Sequence, residues 1–125
     1  MTRFTVSDQA ESQQSTPLAR MEDEARFFMQ ALKPQTFTIV LDERGQTLTS
    51  PAFATMLRRH LENGTPDVAF LIGGPDGHAQ ATRDSADLLL SLGAMTWPHR
   101  LARVMLYEQI YRALTIMVNH PYHRA

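Results

Sequence analysis

Two continuous apolar runs of strand length, Phe37 to Leu41 (FTIVL) and Val68 to Ile72 (VAFLI), limit what this chain can fold into. Runs that do not alternate with polar residues suit strands covered on both faces, as in a parallel sheet. Helical patterns surround them. Thr16-Pro17 opens one, with Leu18, Met21, Ala25, Phe28, Met29 and Leu32 at helical spacing and Pro34 as its stop. Ser50-Pro51 opens another, with Phe53, Met56, Leu57 and Leu61 on its apolar face and Asn63-Gly64 at its end. A third spans about Ala79 to Ala86, before a short apolar strand from Leu88 to Leu92. Phe4 to Val6 reads as a further strand, and Ser7 to Ser15 as polar loop. Alternating strands and helices predict an α/β fold, a mainly parallel sheet flanked by helices, as one domain over residues 1–125.

The last third, from Leu92 to Ala125, is a small-residue loop, one long helix and a tail rich in His and Arg. Gly93 and Ala94 have little or no side chain, so a ligand could lie against the backbone. Thr96 followed by Pro98 is a helix-start signal. From Leu101 the apolar positions are Val104, Met105, Leu106, Tyr107, Ile110, Tyr111, Leu114, Ile116, Met117 and Val118. That is too many for one stripe, so the helix should be buried on two sides, the second against another copy of the chain.

Charge is polarised. The net charge of -1 argues against a general nucleic-acid binder, which needs Lys or Arg in number. Yet Arg100, Arg103, Arg112 and Arg124 face a single acid, Glu108, after Pro98, while Asp8, Glu11, Glu22, Asp23 and Glu24 crowd the other end. Such a distribution can steer an anionic partner to one face; an equally simple reading is a solvated helix end. The chain has no cysteine, which excludes disulfides and zinc-cysteine sites, and no stretch of membrane-spanning length or signal-peptide pattern. A cytoplasmic location is the default. His120 and His123 lack a carboxylate or cysteine nearby in sequence, so no metal is expected. His60 and His78 read as surface residues.

Three loops leave the carboxyl ends of three strands: Leu41 to Gly45, Gly73 to Gly77 and Gly93 to Trp97. Open α/β sheets bind ligands at that edge. The glycines after Ile72 match neither the dinucleotide nor the P-loop spacing and fit a structural turn equally well. Trp97 suits either core or pocket lining, and a His after Pro at a helix start, as His99 is, often serves as a cap or packing residue.

The segment MTWPHRLARVMLYEQIYRALTIMVNHPYHRA, together with FLIGGPDG from Phe70 to Gly77, closely resembles the bacterial large-subunit ribosomal RNA pseudouridine N3-methyltransferases of the SPOUT class. NHPYHR, Asn119 to Arg124, is the most specific part, and the likeness runs from about Phe4 to the end. The resemblance implies a trefoil knot, with the knot and cofactor loops at about residues 68–125, and a homodimer. It implies S-adenosylmethionine as cofactor, with contacts at Leu41, Gly73, Leu92, Gly93, Ala94, Met95, Thr96 and Trp97. It also implies transfer of a methyl group to N3 of a pseudouridine in a hairpin loop of large-subunit rRNA on the assembled ribosome. His99, Tyr122 and Arg124 match positions near the substrate: His99 as proton acceptor, Tyr122 stacking on or bonding the base, and Arg124 holding a phosphate or carbonyl oxygen.

Family members carry a further strand and helix before the position of Phe4, which implies that this chain is shortened and that its sheet exposes an edge. Two other readings compete with the enzyme. One is a catalytically silent knotted dimer that only binds RNA, which predicts little or no S-adenosylmethionine binding. The other is an unrelated nucleotide-binding α/β domain, which Asp76 after the glycines disfavours because a carboxylate repels phosphate.

Overall fold

The computed structural model describes residues 2–8, 15–73 and 77–124. Its elements are β1 (Arg3–Asp8), α1 (Pro17–Ala31), β2 (Thr36–Thr47), α2 (Ser50–Asn63), β3 (Asp67–Ile72), α3 (Gln80–Ser85), β4 (Leu88–Ser91) and α4 (His99–Met117). The four strands form one parallel sheet in the order β1-β3-β2-β4. The strands expected at Phe4 and at Leu88 are present. β1 extends through Ser7 and Asp8, which were expected in the loop; residues 9–14 of that loop lie outside the described residues.

Period-two geometry divides the apolar runs between two faces. Ile39 and Leu41 of β2, Val68, Phe70 and Ile72 of β3, and Leu90 of β4 pack with Phe53, Ala54, Leu57, Leu106 and Ala113 of α2 and α4. Val40, Ala69 and Leu71 point the other way, against Phe28 of α1. Both faces are therefore covered, which is why FTIVL and VAFLI carry no polar alternation.

Local chemistry sets the helix ends. Thr16 and Thr49 cap α1 and α2 by accepting the N–H of Ala19 and Ala52, each at 3.1 Å. Ser50 is inside α2 and its hydroxyl bonds Gln109 of α4 at 2.8 Å. Gly64 ends α2 in the left-handed region (φ 69°), which its lack of a Cβ permits. α4 ends with Asn119 at φ 58°: the N–H of Asn119 reaches the carbonyl of Ile116, and that of His120 reaches Thr115. These two bonds form a Schellman turn that bends the tail back.

Two expectations are corrected. Asp42 to Gly45 does not end the strand. Leu41 and Gln46 both pair with Leu90, so the four residues between them bulge out of β2 before the ladder resumes. The bulge returns at Gly45, where a Cβ would lie 2.5 Å from the Leu89 carbonyl oxygen, so only glycine fits against β4. Thr96 does not cap α4, whose N-cap is Pro98 without a side-chain bond; the Thr96 hydroxyl is drawn instead to Glu43. Within the single chain α4 packs on one face. Leu106 and Ala113 are buried, while Leu101, Val104, Tyr107, Tyr111, Leu114 and Val118 stand exposed in one stripe at spacings of three and four.

Candidate cofactor and substrate site

The topology opens a crevice at the carboxyl edge. After β2 the chain crosses to α2 on one face, whereas after β3 it crosses to α3 on the other, so the two adjacent strand ends diverge. Such a switch point is where open α/β sheets take ligands. A cavity of about 740 Å³ lies there, within the range of small-molecule sites.

Leu41, Gly73, Leu92, Gly93, Met95, Thr96 and Trp97 line this cavity, as does His99 at the first turn of α4. Three loops that are distant in sequence thus meet in one place. Ala94 is exposed and is not among the lining residues. Met95 and Trp97 are large apolar side chains exposed at the cavity wall, which suits the faces of a flat ring. A smaller, mainly apolar cavity of about 450 Å³ reaches the opposite side of Leu92 and Gly93, between α2, β4 and α4.

The wall loops are held by specific bonds. The Ser91 hydroxyl donates to the Gly93 carbonyl at 2.8 Å and accepts the Gly93 N–H at 3.0 Å. Gly93 sits at φ 124°, a conformation that residues with a Cβ rarely adopt. The Thr96 hydroxyl donates to a Glu43 carboxylate oxygen at 2.8 Å, which ties the bulge to the loop before α4.

The polar end of the cavity was not foreseen. Asp42 is nearly buried, accepts the Arg44 N–H at 2.9 Å and lies 3.8 Å from the Arg83 guanidinium. Arg83 in turn donates to the His78 carbonyl and, at 2.7 Å, to Gln80. His78, expected at the surface, is only 3% exposed, because α1 covers it with Phe28 at 5.7 Å between ring centroids. Burial pushes its pKa below the usual histidine value; nearby Asp42 and the carbonyls of Leu71 and Leu41 oppose that shift, and Arg83 adds to it. His78 Nε2 is buried without a hydrogen-bond partner among the described residues. No local signal announces this, since a His after Gly77 looks like any turn residue until α1 closes over it. His60 is also half-buried, stacked 4.2 Å from Phe37 with Nδ1 2.9 Å from the Thr65 hydroxyl. Asp76 lies outside the described residues.

Tyr122 and Arg124 do not join His99 within the chain. They follow α4, whose 19 residues separate its ends by about 28 Å. Tyr122 is folded onto that far end: the Arg112 guanidinium covers its ring at 4.8 Å and Tyr111 meets it edge-on at 5.0 Å. Arg112 also bonds Glu108 at 2.7 Å and lies 3.2 Å from His123 Nδ1.

Comparison with known proteins gives the family of the chain. Residues 1–123 match the family described as "Predicted SPOUT methyltransferase". The chain is 51% identical to the ribosomal RNA large subunit methyltransferase H of Bartonella henselae, over 92% of this chain and 72% of the relative. It is 47% identical to the protein of the same name from Bartonella bacilliformis, over 95% and 74%. The corresponding protein of Brucella anthropi is 47% identical over 96% and 75%.

Proposed function

The chain belongs to the SPOUT methyltransferases, among the ribosomal RNA large subunit methyltransferases H, and from that membership we propose that it methylates N3 of a pseudouridine in a large-subunit rRNA hairpin loop. It is an S-adenosylmethionine-dependent enzyme acting on large-subunit rRNA. The target loop belongs to the assembled ribosome, which places the work in the cytoplasm. No helix among the described residues is long and apolar enough to cross a membrane.

The observation that carries the reading is the cavity at the divergence of β2 and β3, where Leu41, Gly73 and the Leu92–Trp97 loop meet His99. Its fit to the cofactor rests on two features: apolar walls at Met95 and Trp97 for adenine, and a buried polar end at Asp42 and His78 for the remainder. The cofactor supplies a sulfonium methyl group that is already activated. Held by the loops at Leu41, Gly73 and Leu92–Trp97, it would supply that methyl group to N3, with the electron pair of the broken bond left on sulfur. The protein therefore has to align the reactants and receive the N3 proton. His99 accepts that proton. Tyr122 stacks on or bonds the base, and Arg124 holds a phosphate or a carbonyl oxygen gaining charge.

The trefoil knot of residues 68–125, within a single domain of residues 1–125, and the homodimer are part of the same proposal. Two features support the dimer. The exposed apolar stripe of α4 offers a surface for a second α4. And about 28 Å of helix separates His99 from Tyr122 and Arg124, so a site using all three takes its tail from the partner.

The test is a calorimetric titration of the protein with S-adenosylmethionine, after its mass in solution is measured, followed by methylation of purified ribosomes. Binding near one cofactor per chain of a dimer, with methyl label on a large-subunit pseudouridine, is the expected result. A folded dimer that binds RNA but no cofactor would overturn it in favour of the silent RNA-binding form.

A further inference from the structure

Among the described residues, one buried polar atom beside the cavity makes no hydrogen bond of good geometry. His78 Nε2 lies over Gly73 at the end of β3, and both residues line the cavity. Phe28 packs against the ring, Gly73 leaves room for its edge, and Arg83 fixes the residue's backbone carbonyl. A rigid, desolvated polar atom without a partner costs stability, which is recovered when a ligand supplies the missing bond. The neighbouring charged groups differ in this respect. Asp42 already holds the Arg44 N–H, and Arg83 already holds His78 and Gln80.

We propose that His78 is a direct cofactor contact, with Nε2 hydrogen-bonded to a hydroxyl of the cofactor's ribose. The inference rests on the S-adenosylmethionine reading of the cavity and gives His78 a specific contact in it. Three points select the hydroxyl. A carboxylate at this position would be repelled by Asp42, the stronger of the two charges acting on the ring, and a cation would be repelled by Arg83 while drawn to Asp42; a hydroxyl meets neither repulsion. A neutral imidazole donates or accepts at Nε2 according to its tautomer, and a hydroxyl complements both. Burial also keeps the ring neutral, which a cofactor carrying a sulfonium charge requires of its neighbours.

The test is a set of titrations that need no catalysis. S-adenosylhomocysteine and its 2′-deoxy and 3′-deoxy analogues are titrated into the wild-type protein and into the His78→Leu and His78→Gln variants, each checked for folding by thermal denaturation. Wild type should bind one deoxy analogue about tenfold more weakly than the parent. His78→Leu should bind the parent about tenfold more weakly and no longer distinguish that analogue, while His78→Gln, which keeps a polar nitrogen at similar reach, should recover part of the difference. If His78→Leu does not fold, the wild-type and His78→Gln titrations decide. Equal binding of all three ligands by wild type, or undiminished discrimination in a folded variant, overturns the contact and leaves the cofactor reading standing. Failure of wild type to bind the parent removes the cofactor reading itself, and the contact with it.

Discussion

The imidazole edge of His78 occupies the space that a side chain on Gly73 would need: a Cβ at position 73 would lie 3.1 Å from Nε2 and 3.2 Å from the Gly77 carbonyl carbon. One neighbour is a ring wedged under α1 and the other is backbone, so neither yields easily. Gly73→Ala is expected to destabilise the protein by about 1–3 kcal/mol, as overpacking does. Adding His78→Ala should relieve part of that loss. Urea unfolding of the two single variants and the double variant measures the coupling, and strict additivity would show that the contact carries no strain.

The same burial makes stability depend on pH. The native pKa of His78 is lowered, so the unfolded chain takes up the proton first as pH falls. The stabilisation is fully present above the ordinary histidine value of about 6.5 and is lost as pH falls through the lower native value. Unfolding free energies measured between about pH 7.5 and about pH 5 should decline for wild type. His78→Gln should show a shallower decline; an unchanged slope would assign it to other groups.

Gly45 is required by close approach and not by a left-handed backbone. A Cβ there would meet main-chain atoms of Leu89 and Leu90 at 2.5 to 2.7 Å. Gly45→Ala should cost at least about 2 kcal/mol, because the obstacle is the β4 backbone itself. It should also loosen the bulge that carries Asp42 and Glu43, which hydrogen exchange at Gln46 and Thr47 would report.

The exposed stripe of α4 predicts the oligomeric state. Val104→Glu or Leu114→Glu places a charge on that surface, where it is harmless in a monomer and costly in an apolar interface. Analytical ultracentrifugation should show a dimer for wild type and a monomer for either variant, with the helical circular dichroism retained.

If the active site combines the His99 of one chain with the tail of the other, inactive variants complement each other. His99→Ala and Arg124→Ala should each be poor methyltransferases as homodimers. Co-folded, their mixed dimer holds one intact pairing, and roughly a quarter of wild-type activity should return at random mixing. No recovery would mean that each chain uses its own tail.

Much of the layer plan was legible because it depends on short-range patterns. The unbroken runs at Phe37 and Val68 required cover on both faces, and Thr16, Pro17, Pro51 and Gly64 mark helix ends within one turn, although the cap of α2 is Thr49 and not the expected Ser50. The loops at Leu41, Gly73 and Gly93 were recognisable as small or strand-terminal, and resemblance linked them to one cofactor. Their meeting at a single cavity depends on the β1-β3-β2-β4 order, which periodicity alone does not encode.

The sequence by itself determined the order and approximate place of the strands and helices, the core-facing side of α1 and α2, where Gly ends a helix, and to which enzyme family the chain belongs. These follow from periods of 2 and 3.6 and from local backbone sterics, which act within a few residues. Tertiary structure alone decided that His78 is buried, that Thr96 serves Glu43 and not a helix cap, and that Tyr122 is stored against Arg112 far from His99. Each of those outcomes depends on segments 20 or more residues apart, or on the rigid length of a helix. The burial of a polar group is set by what the fold lays over it, and the residue's own neighbours in sequence carry no record of that.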